Sequence, residues 1–353
     1  MLDDRPHGPA WAPDFEARAR AVLPEHVASY YATTAGSRAD PDADRREWDA
    51  VRFRPRVLRD VSVIDTTTTV LGTPVSTPVL VAPMAQQLAA HPEGEGAMGR
   101  GVLAAGSLLG VSTNTAVPFA DVAASGAPWW FQVYVTRDRS LTELMVERAV
   151  AAGARALLLT VDMNALLPSG VNPRDWPPSP AKSRMTNLTE QERAAAGPGA
   201  LDTDHTLTPD AIGWLHELSG LPVLVKGVLR ADDTRRCRDA GAAGFVVSTH
   251  GGRRMGPSVT SVQALPEVVA AADDAEVYVD SGLRSGEHLA AALALGARAV
   301  FVGRPALWAL AAAGPDGVTA VLDGLTGELA HLMTQLGAAR LADLTPDLVA
   351  APR

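Results

Sequence analysis

The sequence predicts an α/β chain folded as a (β/α)8 TIM barrel with an N-terminal helical and hairpin cap, and three observations carry that prediction. From Pro78 onward, short apolar runs alternate with helical patterns, as parallel strands buried on both faces require. Eight such runs occur, near residues 78–82, 108–113, 129–134, 155–161, 222–226, 244–249, 276–280 and 298–302. Nearly every run ends in polar or charged residues, which fits a fold whose strand ends converge on one face. An open, doubly wound sheet is the competing architecture on pattern alone.

Ahead of the barrel, residues 1–12 are Pro-rich and expected to fray. Phe15 to Tyr31 carries apolar residues at helical spacing (Phe15, Ala19, Val22, Leu23, Val27, Tyr30), interrupted near Pro24. A polar stretch, Thr33 to Asp44, follows. Short β-branched runs between Val51 and Val75 predict an arm or hairpin. We therefore expect a cap over residues 1–77 and a barrel over 78–353. The fourth and fifth strands are separated by about sixty residues, far more than the other pairs. An insertion, about 163–208, is thus expected after the fourth strand; its Pro177 to Lys182 segment reads as a mobile loop on the face that carries active sites. Helical patterns from Pro305 to about Ala342 close the chain.

With 353 residues and 47% hydrophobic content, the chain can bury a full core. A net charge of −9 argues against a nucleic-acid or anionic-membrane surface, so an anionic ligand needs locally placed arginines. The lone Cys237 rules out an internal disulfide and fits a reducing compartment. No apolar run approaches the ~18 residues of a membrane span, and the acidic start is no signal peptide, so a cytoplasmic location is expected. The eight histidines show no metal-binding spacing, and no metal is expected.

The chemistry concentrates where the sixth strand hands over to Ser248-Thr249-His250-Gly251-Gly252-Arg253. The glycines leave backbone uncovered for a planar ligand, and a base and a cation follow directly. The other strand ends bring Pro83-Met84-Ala85, Ser112, Gln132 with Tyr134, Thr160 with Asp162, Lys226, Asp280 to Arg284, and Gly303-Arg304. Singly, each has a bland reading, such as a turn former, a solvated strand end or a helix cap. Gly-rich turns after strands seven and eight, with Arg284 and Arg304, predict a phosphate-bearing cofactor. By contrast, Gly94-Glu95-Gly96-Ala97-Met98-Gly99 matches a dinucleotide fingerprint only by accident, because it trails its strand by about a dozen residues.

Tyr30-Tyr31-Ala32, Phe53-Arg54-Pro55-Arg56, His91-Pro92-Glu93-Gly94-Glu95, Phe131 to Tyr134, Leu159 to Asp162, Leu224 to Val228, Ser248 to Arg253 and Gly303-Arg304-Pro305 together resemble the FMN-dependent 2-hydroxy-acid oxidase and dehydrogenase family, which includes glycolate oxidase, lactate oxidase and mandelate dehydrogenase. The resemblance implies FMN over the barrel mouth, contacted by Pro83, Met84, Ala85, Ser112, Gln132, Thr160 and Ser248, with Lys226 at its N1/C2 edge. Its phosphate would fall to Asp280, Gly282 and Arg284 and to Gly303 and Arg304. It further implies His250 as the base that removes a proton from an L-2-hydroxy acid as electrons pass to flavin N5, oriented by Asp162. Arg253 and Tyr30 would hold the substrate carboxylate and Tyr134 its hydroxyl oxygen. Oxygen, a quinone or a carrier protein would accept the electrons, and a homotetramer or homo-octamer is expected.

The chain departs from that family around the substrate. Met163 to Gly170 replaces an arginine-bearing segment, Thr249 stands for an asparagine, Arg254 for a glutamine, and Asn114 for an aromatic residue. An atypical substrate, as in a biosynthetic tailoring oxidase acting on a hydroxy or amino compound, is therefore an open alternative. So is a non-redox phosphate-ligand aldolase or isomerase with Lys226 as amine nucleophile, although it leaves His250, Arg253 and Tyr134 without a joint role. A degenerate, non-catalytic barrel would leave all of these residues unexplained.

Overall fold

The computed structural model describes residues 12–34, 40, 42–162, 185–255 and 257–350. The Pro177 to Lys182 segment and the Met163 to Gly170 replacement lie outside them. Two helices, α1 (Ala12–Val22) and α2 (Glu25–Ala32), meet at Pro24, which cannot supply an amide to continue the first. A third, α3 (Ala43–Asp49), begins at the end of the Thr33 to Asp44 polar stretch and runs on past it, where no helix is expected from sequence. The hairpin β1 (Thr68–Val70) and β2 (Thr73–Val75) turns at Leu71-Gly72.

Eight parallel strands then close on themselves: β3 (Val79–Met84), β4 (Leu109–Ser112), β5 (Trp129–Val133), β6 (Leu157–Thr160), β7 (Val223–Val228), β8 (Gly244–Val247), β9 (Glu276–Val279) and β10 (Ala299–Val302), with β10 pairing both β9 and β3. The helices between them are α4 (Gly94–Ala104), α5 (Phe119–Ala124), α6 (Arg139–Ala151), α7 (Glu190–Ala195) with α8 (Asp210–Ser219), α9 (Ala231–Asp239), α10 (Ser261–Ala272) and α11 (Gly286–Ala294). α12 (Arg304–Leu336) follows the last strand and breaks at Ala313-Gly314. The described part of the insertion is thus not all loop, since α7 carries a full capping box between Thr189 and Glu192.

Continuous apolar strands are explained by two separate cores. Alternate residues Leu80, Leu108, Trp130, Leu158, Leu224, Val246, Tyr278 and Phe301 point inward, while Val79, Val81, Val111, Phe131, Leu159, Val225 and Phe245 pack under the helices. Trp130 meets Tyr278 edge-on at 5.4 Å and Phe301 at 5.9 Å, filling the lower barrel. Val70 and Val75 of the hairpin join that inner core and stopper its N-terminal mouth; the Leu71 amide donates to Glu276 at 2.9 Å. A barrel plugged at one end confines ligand access to the other, where the polar strand ends lie. Gly99 of the false fingerprint sits in α4, where an added Cβ would stand 2.2 Å from Ser125 Oγ; it serves helix packing, not a ligand.

Candidate active site

At the C-terminal mouth the strand ends enclose a cavity of about 330 Å³, within the range of small-molecule sites. Of the residues singled out from sequence, Tyr30, Pro83, Met84, Ala85, Ser112, Gln132, Tyr134, Thr160, Lys226, His250, Arg253, Asp280, Gly282, Arg284, Gly303 and Arg304 all line it. Asp162 and Ser248 do not; each stands behind a lining residue. Asp162 accepts from His250 Nδ1 at 3.0 and 3.1 Å with its two oxygens, and Ser248 Oγ accepts from Lys226 Nζ at 2.8 Å. Tyr31, Gln86, Asn114 and Arg254 also line the cavity without having been assigned a contact from sequence.

The His250 turn is built by strain and held by hydroxyls. His250 and Ser281 adopt φ of 56° and 74°, a region that side chains other than glycine avoid. The His250 amide donates to Ser248 Oγ at 3.0 Å, and Ser281 Oγ accepts from the amides of Thr249 and Gly251 at 3.2 and 3.0 Å. Ser281 in turn donates to Asp280 at 2.6 Å. Because a carboxylate only accepts, Asp162 fixes the proton of His250 on Nδ1 and leaves Nε2 as the basic nitrogen. Gly227 makes room for this pair: a Cβ there would lie 2.7 Å from that of Asp162. Burial drives the imidazole below its ordinary range, opposed by Asp162. For Asp162, burial raises the carboxyl, but His250, Lys226 and Arg254 outweigh it and keep it ionised.

The overlooked helix α3 is the strut beneath this turn. Its Asp44 accepts from Thr249 Oγ1 at 2.6 Å and from the Ser261 amide at 2.7 Å, and Trp48 Nε1 donates to the Ser281 carbonyl at 3.0 Å. Asp49 accepts from His288 Nε2 at 2.8 Å, while His288 Nδ1 accepts from the Arg284 amide at 3.1 Å. Gly282, expected to cradle an anion, lines the cavity and also lets α3 approach: a Cβ would stand 2.6 Å from that of Asp44, at φ +81°. Gly282→Ala should therefore lower stability by about 1–3 kcal/mol and release cofactor, read as a lower melting temperature and loss of yellow colour on gel filtration. An alanine variant that retains both would show that α3 can yield.

Two features ask for a flavin nucleotide. Gln132, which lines the cavity, accepts from the Thr113 amide through Oε1 at 3.2 Å, and its buried Nε2 is a donor with no partner among the described residues. At the far side, Arg284 and Arg304 are both half-buried, and their side chains donate only to backbone carbonyls among the described residues: Leu283 for the first, Tyr31, Thr33 and Gly251 for the second. Burial, then the neighbouring charges of Arg284 and Arg253, brings Arg304 down to about 10. Two guanidiniums enclosed together call for an anion such as a phosphate. The Asp280 carboxylate, also at the cavity wall, pairs with Lys226 at 2.9 Å.

Residues 19–351 match the family model for FMN-dependent dehydrogenases. The chain belongs to that family. It is 40% identical to an L-lactate oxidase of Nostoc sp. over 94% of this chain and 95% of the other, and 40% identical to glycolate oxidase 1 of Zea mays over 94% and 93%. The solved structure of mandelate oxidase with benzoyl-formic acid superposes with a TM-score of 0.87 at 36% identity, covering 96% of this chain and 97% of that one. An active chimera of (S)-mandelate dehydrogenase gives a TM-score of 0.89 at 30% identity over 97% and 99%. As a family member the protein is an FMN-dependent oxidoreductase of 2-hydroxy acids, and the orphaned Gln132 donor and paired arginines fit that cofactor. Among the described residues, no helix is long and apolar enough to cross a membrane and no side-chain group forms a metal site.

Proposed function

We propose that the chain oxidises the Cα–OH of an L-2-hydroxy monocarboxylic acid to the 2-oxo acid with His250 as general base. The observation that carries this reading is the His250–Asp162 pair at the cavity wall, with Nδ1 engaged and Nε2 left to accept a proton. FMN, when bound, accepts the two electrons. Gln132, Ser112, Thr160 and the Pro83-Met84-Ala85 segment would hold its ring system, and Gly303, Arg284 and Arg304 its phosphate. Lys226, aimed by Ser248 and Asp280, supplies a cation beside the ring.

The chain's own groups divide the remaining work. Arg253 stacks over the Tyr30 ring at 4.7 Å and donates to the Tyr30 carbonyl at 2.9 Å, which fixes its guanidinium as a carboxylate anchor. Burial raises the Tyr134 phenol well above its ordinary value, so it remains a hydrogen-bond donor to the substrate oxygen. Asp162 stabilises the imidazolium that forms, and the anchored carboxylate keeps the Cα–OH near His250.

Incubating purified holoenzyme in air with glycolate, L- and D-lactate, both mandelates, larger aryl analogues and the matching 2-amino compounds tests the reading. A 2-oxo acid formed from one L series, with or without hydrogen peroxide, supports it and separates oxidase from dehydrogenase. Product from amines alone would favour a tailoring oxidase instead.

A pH dependence follows from the depressed imidazole. Only neutral His250 can accept a proton, so flavin reduction should be flat above about pH 6.5, histidine's ordinary value, and fall below it. Rapid-mixing measurements across pH 4.5–9 check this; a rate still climbing through pH 8 would assign the base to another group.

A further inference from the structure

Next to Arg253, the cavity holds a second arginine with an unmet Nε–H donor. Arg253 is engaged by the Tyr30 carbonyl and ring, but Arg254 lines the same wall with its Nε buried and without a partner among the described residues. Its charge acts on the neighbouring Tyr134 phenol and favours the ionised form there. A buried unmet N–H costs about 1–3 kcal/mol, so such a donor is informative about what belongs there.

Charge points to the same ligand. Lys226 is neutralised by Asp280, and Asp162 is the one remaining described carboxylate in direct contact with a group at this wall, set against both Arg253 and Arg254. With His250 neutral, the substrate end therefore holds one uncompensated positive charge in a partly enclosed space. A single carboxylate cancels it; an amide of the same shape does not.

We propose that Arg254 is a substrate-binding residue that grips the substrate carboxylate together with Arg253, making the site selective for 2-hydroxy and 2-oxo monocarboxylates over their uncharged amides. This rests on the hydroxy-acid reading above and adds a specificity-determining residue to it.

The test is equilibrium binding, followed by perturbation of the flavin absorption band in wild-type, Arg254→Gln and Arg254→Lys holoenzymes. Two matched pairs serve as probes: pyruvate with pyruvamide, and phenylglyoxylate with its amide. Arg254→Gln should weaken the acids by about 10- to 150-fold, the range for a lost charge-assisted hydrogen bond, and the amides by less than about 3-fold. Arg254→Lys should keep part of the preference for acids, because it keeps the charge and loses the fork. If Arg254→Gln is purified without flavin, the acid-to-amide ratio in Arg254→Lys decides, and a ratio equal to wild type overturns the inference. Equal weakening of acids and amides, or no weakening, also overturns it while leaving the hydroxy-acid reading intact. A wild-type protein that binds none of the acids and is bleached by no hydroxy acid would overturn both.

Discussion

His250→Ala is expected to yield a yellow protein that 2-hydroxy acids bind but bleach about 10²- to 10⁴-fold more slowly. The imidazole lies at the cavity wall, and the groups proposed for the flavin, Gln132, Lys226, Arg284 and Arg304, come from other strands. The turn itself should persist, because it is held through the amides of Thr249 and Gly251 by Ser281 and through Thr249 by Asp44. One side effect is expected: Asp162 loses its partner, and an unpaired buried carboxylate is destabilising. His250→Gln, which can still donate to Asp162, separates the two consequences, since it should recover thermal stability without recovering reduction. Anaerobic rapid mixing reads the rate; bleaching at the wild-type rate in either variant would remove His250 from the role of base.

Arg253→Lys should cost nearly as much, about 10²-fold in the second-order rate of flavin reduction, with flavin content unchanged. The guanidinium bonds the Tyr30 carbonyl, sits over the Tyr30 ring and still lines the cavity. An ammonium keeps the charge but cannot stack, donate to the carbonyl and present two parallel N–H groups at once. Loss of anchoring also frees α2, which carries Tyr30 and Tyr31, so weaker substrate binding should accompany the slower rate. A lysine variant with an unchanged dependence of rate on substrate concentration would place the carboxylate elsewhere.

The barrel was legible because its strands are buried on both faces, and burial writes itself as unbroken apolar runs that end abruptly in polar residues. Those ends gave the site, since in a parallel barrel the last residue of each strand faces the same mouth. Helix α3 was not legible: Ala43–Asp49 is short, highly charged and without a periodic apolar stripe, and its single large apolar side chain, Trp48, is the only local sign that it docks. Its purpose depends on residues more than 200 positions away, Thr249, Ser261 and Ser281. For the same reason the close approach of the α3 backbone to Gly282 is invisible in the sequence. Across the barrel Asp280 meets Lys226, a pairing that periodicity does not encode. Arg254 drew notice only as a departure from the family pattern, and its place in the cavity follows from the strained turn at His250 and Gly251.

The most direct test of the account is the visible spectrum of the purified protein during anaerobic addition of L-2-hydroxy acids. The account predicts an oxidised flavin band that one L series bleaches and the matching D series leaves untouched. A flavin-loaded protein that no 2-hydroxy acid reduces, or one that cannot take up FMN at all, would contradict it.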